Sequence, residues 1–236
     1  MRNPNELSVR LQSGGTAGAT TTALVYAAAE RALGATLMLG HGAGAGQRSA
    51  FMVDFAHALS ALGLDVVTFN FLYTEQRRRI PDRAPALEAC YRDVIAAVRE
   101  AVPSANRGLF IGGKSMGGRI ATQVAAADRD LPIAGLVLLG YPLHPPGRPD
   151  QRRDKHLAAI RRPMLIVQGD RDAFGLPAEL RPIVQQLEPP ATLEVIAKGD
   201  HSFKLPRRDP AGQAAVYVNI QNTIVNWIAG RLKTRS

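Results

Sequence analysis

"GLFIGGKSMGG", residues 108–118, decides how this chain is interpreted, because it fits two motifs with different chemistry. Residues 108–115 match G-x-x-x-x-G-K-[ST], the P-loop that cradles a nucleotide phosphate. Residues 113–117 match G-x-S-x-G, the tight turn that presents a nucleophilic serine. The first motif would bind a nucleotide, whereas the second would attack an ester.

The residues before the turn favour the serine motif. A P-loop needs a glycine-rich turn whose backbone N–H groups can wrap a phosphate. Here three of the four variable positions are bulky residues typical of a strand, namely Leu109, Phe110 and Ile111. The serine motif instead requires a strand, a sharp turn at Ser115 and then a helix, for which "GGRIATQVAAA" is well suited. Ser115 is therefore predicted to be a nucleophile in a strained turn, and the flanking Lys114 and Arg119 are interpreted as structural.

Two further groups that a serine nucleophile needs follow it in the chain. Asp172 occurs in "MLIVQGDRDAFG" and His201 in "TLEVIAKGDHSF", each after an apolar run. Because the carboxyl ends of parallel strands share one edge of a sheet, both should meet Ser115 there. The histidine would take the serine proton, and the carboxylate would orient and stabilise the imidazolium. Asp170, in the same loop, is the alternative acid, whereas Asp200 cannot easily reach the ring of the next residue and is predicted to be a turn residue.

The oxyanion of such a reaction needs backbone N–H donors. One is expected from Met116, the residue after the nucleophile. The other should come from the turn after an early strand, "LMLGHGAGAG", where the N–H of Ala43 is favoured and that of Gly42 is next. Small residues there let the backbone approach a substrate.

The same turn also fits a dinucleotide fingerprint, G-x-G-x-x-A, at residues 40–45. That fold places an acidic residue at the end of the next strand to hold a ribose. The next strand is "DVVTFNF", which has Asn70 near that end and Asp65 at the wrong one. Nucleotide binding therefore ranks below hydrolysis.

Apolar runs alternate along the chain with segments of helical period. The predicted strands are residues 22–28, 35–40, 65–71, 108–111, 133–140, 164–167 and 192–196. Apolar stripes at helical spacing lie in residues 51–62, 87–98 and 216–228. This order predicts an α/β fold with a mostly parallel, doubly wound sheet flanked by helices. We expect one domain over residues 1–236, with 141–155 as a short lid-like loop and no large cap domain.

Charge and composition exclude several classes of protein. The net charge is +9, but the arginines form short clusters and aromatic residues are only 6%, so a solvated basic surface is favoured over nucleic-acid binding. No apolar run is long enough for a membrane span, and the polar N-terminus has no signal-peptide core. Cys90, the only cysteine, lies in a core stripe and is a poor nucleophile candidate; a single cysteine fits a cytoplasmic location.

Taken together, "LMLGHGAGAG", "TFNFLYTEQRRRIPD", "IGGKSMGGRIA", "LLGYPLHPPGRPD", "LIVQGDRDAFG" and "GDHSF" resemble the dienelactone-hydrolase-like branch of the α/β hydrolases. They are most similar to the group containing testis-expressed protein 30 and the hydrolase-like domain of a regulatory subunit of a histone acetyltransferase complex. The resemblance implies an α/β-hydrolase fold with Ser115 as nucleophile, Asp172 as acid and His201 as base. Dienelactone hydrolases proper have cysteine at the nucleophile position, where this chain has Ser115.

The predicted function is hydrolysis of a small ester, thioester or lactone through an acyl-enzyme, without metal or cofactor. The alternative is a non-catalytic interaction module on a hydrolase fold. Residues predicted to line the substrate are His41, Phe71, Tyr73, Tyr141, His144 and, beside Ala173 in the loop of Asp172, Phe174. Basic side chains at the mouth, Arg77, Arg148, Arg152 and Arg153, favour an anionic portion on the substrate, although a solvated loop accounts for them equally well.

Overall fold

Eight strands form one sheet in the part of the chain that the structure, a computed structural model, describes: residues 3–13, 15, 17–29, 31–206 and 209–234. They are β1 (Asn5–Arg10), β2 (Thr20–Tyr26), β3 (Thr36–Gly40), β4 (Asp65–Phe69), β5 (Leu109–Lys114), β6 (Gly135–Leu139), β7 (Met164–Gly169) and β8 (Thr192–Ile196). Their order is β1-β2-β4-β3-β5-β6-β7-β8. β2 is antiparallel to both of its neighbours, and the other pairs are parallel.

Helices cover both faces of this sheet. They are α1 (Ala50–Ala61), α2 (Leu72–Glu75), α3 (Ala84–Ala101), α4 (Met116–Ala127), α5 (Pro177–Gln186) and α6 (Pro210–Lys233). Because side chains alternate along a strand, Met38 packs with α3, α4 and α5 on one face, whereas Leu37 packs with α1 and α6 on the other. The expected α/β-hydrolase architecture is therefore confirmed. Within the described ranges, no helix is long and apolar enough to cross a membrane.

The register of the parallel strands brings the site loops to one edge of the sheet. Gly40, the last residue of β3, pairs with Gly113 of β5, and Lys114 pairs with Leu139 of β6. Gly169 at the end of β7 pairs with Ile196 at the end of β8. The loops that follow β3, β5, β7 and β8 consequently open on the same side, where ligands bind in open α/β sheets.

Most strand predictions were right within a few residues, and two differences have physical causes. β1 was not predicted, because four of its six residues are polar and it lies at the exposed edge of the sheet. β5 ends at Lys114 instead of Ile111. The strand continues through Gly112 and Gly113, because Gly112 has no side chain and can pair closely with Val137 of β6. A Cβ atom at Gly112 would collide with the backbone of Val137.

The segment 141–155 contains turns and no helix or strand, and no large cap domain is present in the described residues. It is tied down by its own buried side chains. The hydroxyl of Tyr141 donates to the carbonyl oxygen of Arg153 at 2.6 Å, and the N–H of Arg153 donates to the carbonyl of Leu143 at 2.8 Å. His144 is buried and its Nε2 lies 3.3 Å from a carboxylate oxygen of Glu179 in α5. These contacts make it a fixed loop.

Candidate active site

Ser115 stands at a sharp turn between β5 and α4 with a strained backbone, φ 52° and ψ −113°. The glycines of the motif have a steric cause. A Cβ atom on either Gly113 or Gly117 would collide with the backbone of Gly40 at the end of β3. The turn can therefore form only where the chain has no side chain two residues before and two residues after the serine. The P-loop interpretation is wrong, because its variable residues are paired inside the sheet.

The structure joins the three residues predicted for catalysis in one chain of hydrogen bonds. Nε2 of His201 lies 2.8 Å from Oγ of Ser115, and Nδ1 of His201 lies 2.8 Å from Oδ2 of Asp172. These residues come from the loops after β5, β7 and β8. With the Nδ1 proton directed at the carboxylate, Nε2 is left to accept the serine proton, which is the geometry of a nucleophile and its general base.

The carboxylate of Asp172 is fully buried and its oxygens are well satisfied. Oδ2 accepts a hydrogen bond from Nε2 of Gln168 at 2.8 Å, and Oδ1 accepts one from the N–H of Phe174 at 2.8 Å. The Phe174 ring also stacks on the imidazole of His201, with ring centroids 4.1 Å apart. Sequence reasoning did not identify Gln168, whose amide links Asp172 to the backbone of Tyr141.

The alternative carboxylates lie elsewhere. Asp170 is exposed at the start of the same loop. Oδ1 of Asp200 accepts hydrogen bonds from the N–H groups of Ser202 and Lys204 at 2.7 and 2.8 Å, so Asp200 is a turn residue, as predicted. Asp172 is the carboxylate that reaches the imidazole of His201.

Three backbone N–H groups near Ser115 belong to residues that line the same cavity. A Cβ atom on Gly42 would lie 3.6 Å from Cβ of Ser115, so the loop after β3 runs directly beside Ser115. Among the described residues, no acceptor binds the N–H of Gly42 or of Ala43. Met116 is the first residue of α4, so its N–H has no partner within the helix. All three residues line the cavity at the site.

His41 lies beneath this loop instead of facing a substrate. It is fully buried; its Nδ1 lies 2.9 Å from the carbonyl oxygen of Gly42, and its Nε2 accepts the N–H of Phe71 at 3.2 Å. Nε2 must be unprotonated to accept that bond, so the proton is on Nδ1 and is donated to Gly42. Burial lowers the pKa of His41 below its usual 6.5, which favours this neutral form.

A cavity of about 700 Å³ opens beside Ser115 and His201, and Phe174 lines it. The other predicted substrate-lining residues do not line the cavity, because their side chains are buried beneath its surface. They are His41, Phe71, Tyr73, Tyr141 and His144. The Phe71 and Tyr73 rings pack against the His41 imidazole, with centroids 5.1 and 5.9 Å away. Large aromatic side chains stabilise a protein more when they are buried in the core than when they lie on a solvated rim.

The basic residues of the cavity also differ from those predicted. Arg77, Arg148 and Arg152 are exposed and lie outside its lining, whereas Arg153 lines it. Arg119, interpreted from sequence as structural, lines it as well. Sequence spacing could have suggested Arg119, because it follows Ser115 by about one helical turn.

Lys114, interpreted from sequence as structural, both lines the cavity and bonds the backbone. It is buried, lines the cavity and donates from Nζ to the carbonyl oxygen of His201 at 2.5 Å. Burial lowers the pKa of Lys114 to about 8, although the charges of Asp172 and Asp200 oppose this shift. The residue before Ser115 thus contacts the backbone of His201.

Residues 34–229 match the family described as the alpha/beta hydrolase domain, and the chain belongs to that family. Solved structures share its fold. A Xanthomonas campestris α/β serine hydrolase without a lid is 21% identical, with a TM-score of 0.73 over 97% of this chain and 96% of the other. A dienelactone hydrolase from Anabaena variabilis is 18% identical, with a TM-score of 0.68 over 94% and 97%. Est1E from Butyrivibrio proteoclasticus, with ferulic acid bound, is 14% identical, with a TM-score of 0.73 over 94% and 99%.

Proposed function

We propose that this protein is a serine hydrolase that cleaves a small ester, thioester or lactone through Ser115, His201 and Asp172. The observation that carries the proposal is the pair of 2.8 Å contacts that His201 makes, one with the serine hydroxyl and one with the buried carboxylate. A structural serine at a helix N-terminus would need neither contact. It would also not need the strained backbone of Ser115, which costs free energy unless the turn has a use.

Acylation follows from this geometry. Oγ of Ser115 attacks the substrate carbonyl carbon while its proton passes to Nε2 of His201. The imidazolium stays bound to Asp172 through Nδ1–H and then gives the Nε2 proton to the departing alcohol or thiol. Water, deprotonated in turn by His201, attacks the acyl-enzyme and releases the acid together with the free serine.

The tetrahedral oxyanion would be held by the N–H groups of Met116 and Ala43. His41 acts as a positioning residue for the second donor. Its Nδ1–H and the N–H of Ala45 both bind the carbonyl oxygen of Gly42, at 2.9 and 3.2 Å. Because the peptide bond is planar and trans, fixing this carbonyl turns the N–H of Ala43 to the opposite side, away from the His41 ring.

The substrate class is a small organic ester, thioester or lactone. The cavity volume, about 700 Å³, lies within the range of small-molecule sites. Fold neighbours include a protein named for dienelactone hydrolysis and one with bound ferulic acid, which supports small organic acids as acyl groups. Within the family, we place the chain in the dienelactone-hydrolase-like branch, beside the group of testis-expressed protein 30.

Hydrolysis of short-chain para-nitrophenyl esters and thioesters tests this function. We expect turnover that Ser115→Ala and His201→Ala reduce by similar, large factors, because triad members act as a unit. Melting curves should show that both variants remain folded. If wild type hydrolyses none of these compounds, or if Ser115→Ala retains full turnover, the serine-hydrolase proposal fails and a non-catalytic interaction module takes its place.

A further inference from the structure

Two arginines on the wall of the cavity have no counter-ion. Arg119 and Arg153 both line it and are half-buried. Neither forms an ion pair with any residue in the described ranges. The Arg119 guanidinium donates a long hydrogen bond, 3.4 Å, to Oε1 of Gln123. Arg153 forms its hydrogen bonds to Tyr141 and Leu143 through its main chain. Both guanidinium groups therefore keep donors free for a ligand.

These two cations also repel each other. Burial, and after it the positive charge of Arg153, lowers the pKa of Arg119. Holding two like charges together in a partly desolvated site costs free energy that a bound anion would offset. The neighbouring Arg152 is different, because it is exposed and binds a carboxylate oxygen of Asp154 at 2.9 Å. Exposed arginines such as Arg77 and Arg148 also form no ion pair, but they are solvated, whereas Arg119 and Arg153 are half-buried in the cavity wall.

Both arginines are fixed relative to the nucleophile. The N–H of Arg119 donates to the carbonyl oxygen of Ser115 at 3.0 Å, in the first turn of α4. The backbone of Arg153 is held by the buried Tyr141 and by Leu143. The backbone of Arg119 thus lies about one helical turn, roughly 5 Å, from that of Ser115, and Arg153 lines the same cavity.

The carboxylates of the cavity do not neutralise this pair. Asp82 is bound by Arg78 at 2.6 Å. Asp54 lies on α1, which covers the opposite face of the sheet from α4. Lys114 and the exposed Lys204 also line the cavity, so its charge favours an anionic substrate group, which Asp54 disfavours only beside α1.

We propose that Arg119 and Arg153 form an anion subsite that binds a carboxylate or phosphate group carried by the substrate of Ser115. This rests on the proposed function and specifies its substrate class. Planar guanidinium groups present paired N–H donors that match the oxygens of such anions. Binding there orients the substrate, with the scissile carbonyl beside Ser115 and the charge toward α4.

Matched esters test the subsite, using the ratio of kcat/KM for an anionic ester to that for its neutral isostere. One pair, para-acetoxybenzoate and para-acetoxyacetophenone, carries the charge on the leaving group. The other, the mono-para-nitrophenyl ester of adipic acid and its methyl ketone analogue, carries it on the acyl group. Charge-assisted hydrogen bonds predict that Arg119→Gln and Arg153→Gln each lower the ratio about tenfold or more in at least one pair. Para-nitrophenyl phosphonoalkanoates in place of the adipate distinguish a phosphate-type anion from a carboxylate.

Arg152→Gln is the matched control, since Arg152 adjoins Arg153 in sequence but is exposed and paired. Its ratio should stay within about twofold of wild type. Arg153→Gln, in a loop, keeps the test valid if Arg119→Gln fails to fold. A ratio that is the same in wild type, Arg153→Gln and Arg152→Gln for both pairs overturns the subsite.

Failure of the subsite and failure of the hydrolase function give different results. Ser115-dependent turnover of the neutral esters with an unchanged ratio rejects only the subsite. If no ester is turned over, the subsite can still be tested by calorimetric binding of para-acetoxybenzoate to wild type and to Arg153→Gln. Affinity lost in Arg153→Gln supports the subsite, and equal or undetectable affinity in both proteins rejects it.

Discussion

Nζ of Lys114 donates a 2.5 Å hydrogen bond to the carbonyl oxygen of His201, so the residue before the proposed nucleophile, Ser115, holds the backbone of the proposed general base. Gly140, at the end of β6, leaves room for this contact. A Cβ atom there would lie 2.9 Å from the His201 carbonyl oxygen and 3.0 Å from the lysine Nζ. The ends of β5 and β6 and the histidine loop are thereby locked together.

Burial of Lys114 predicts a specific pH dependence of stability. Its pKa is about 8 in the folded protein, against its ordinary value of 10.5 in the unfolded chain. Between these pH values the unfolded chain binds the extra proton, so the free energy of unfolding should rise with pH. Lys114→Met should lack this contribution. Urea unfolding of both proteins across this window measures the difference, and parallel curves would contradict the assigned burial.

The acid should be identified by exchanging carboxylates for amides. Asp172→Asn keeps the shape of the side chain but no longer favours the Nδ1–H form of His201, so kcat should fall by about 10⁴. Asp170→Asn, at the exposed neighbour, is the control and should leave kcat/KM within about twofold of wild type. Steady-state kinetics with one activated ester gives both values. A larger loss in Asp170→Asn would assign the acid to Asp170.

Loss of the His41 imidazole should impair the oxyanion loop more than substrate binding. Removing a donor to an oxyanion lowers kcat by about 10²–10³, and His41→Ala only misaligns one, so a loss of about 10- to 100-fold is expected. KM should change little, because His41 lies outside the cavity lining.

His57→Ala is the control for this experiment, because His57 lies on α1 and packs edge-on against Tyr26, with ring centroids 4.9 Å apart. An equal loss of kcat in both variants, or a rise in KM with kcat unchanged in His41→Ala, would contradict the positioning role.

The sequence predicted the sheet and the central three residues because their signals are local. Apolar runs mark strands that are covered on both faces, and the loops at their carboxyl ends hold Ser115, Asp172 and His201. Gly113 and Gly117 are needed because the backbone of Gly40, in another strand, lies close to them. The G-x-S-x-G motif already includes both glycines, so this long-range contact did not have to be known in advance. These three residues, Ser115, Asp172 and His201, could therefore be assigned to one site before its geometry was known.

The walls of the site could not be predicted, since they depend on which way side chains point after the chain folds. Tyr141 and Phe71 look like rim residues beside polar neighbours, but both are buried beneath the cavity. Arg119 looks like an ordinary helix residue, and it becomes part of the wall only because α4 starts at the nucleophile. Arg152 and Arg153 are equivalent in sequence until Asp154 pairs with one of them.

Cys90 should be chemically silent in the folded protein. Burial raises its pKa from 9.0 to about 12, so almost no thiolate forms at neutral pH. Native protein treated with iodoacetamide at about pH 8 should gain no mass and lose no activity, whereas protein unfolded in guanidinium should gain one adduct. Alkylation of the native protein with loss of turnover would indicate that the thiol is accessible and takes part in function.

The central claim is that Ser115 is an activated nucleophile, and a fluorophosphonate tests it most directly because the reagent requires such a group and no knowledge of the substrate. Intact mass should show one adduct per chain, and peptide mapping should place it on the peptide that contains Ser115. Ser115→Ala should remain unlabelled. His201→Ala should be labelled far more slowly, since the Ser115 hydroxyl has then lost the base 2.8 Å away. Folded wild type that takes up no label, or that takes it up at another residue, would contradict the account.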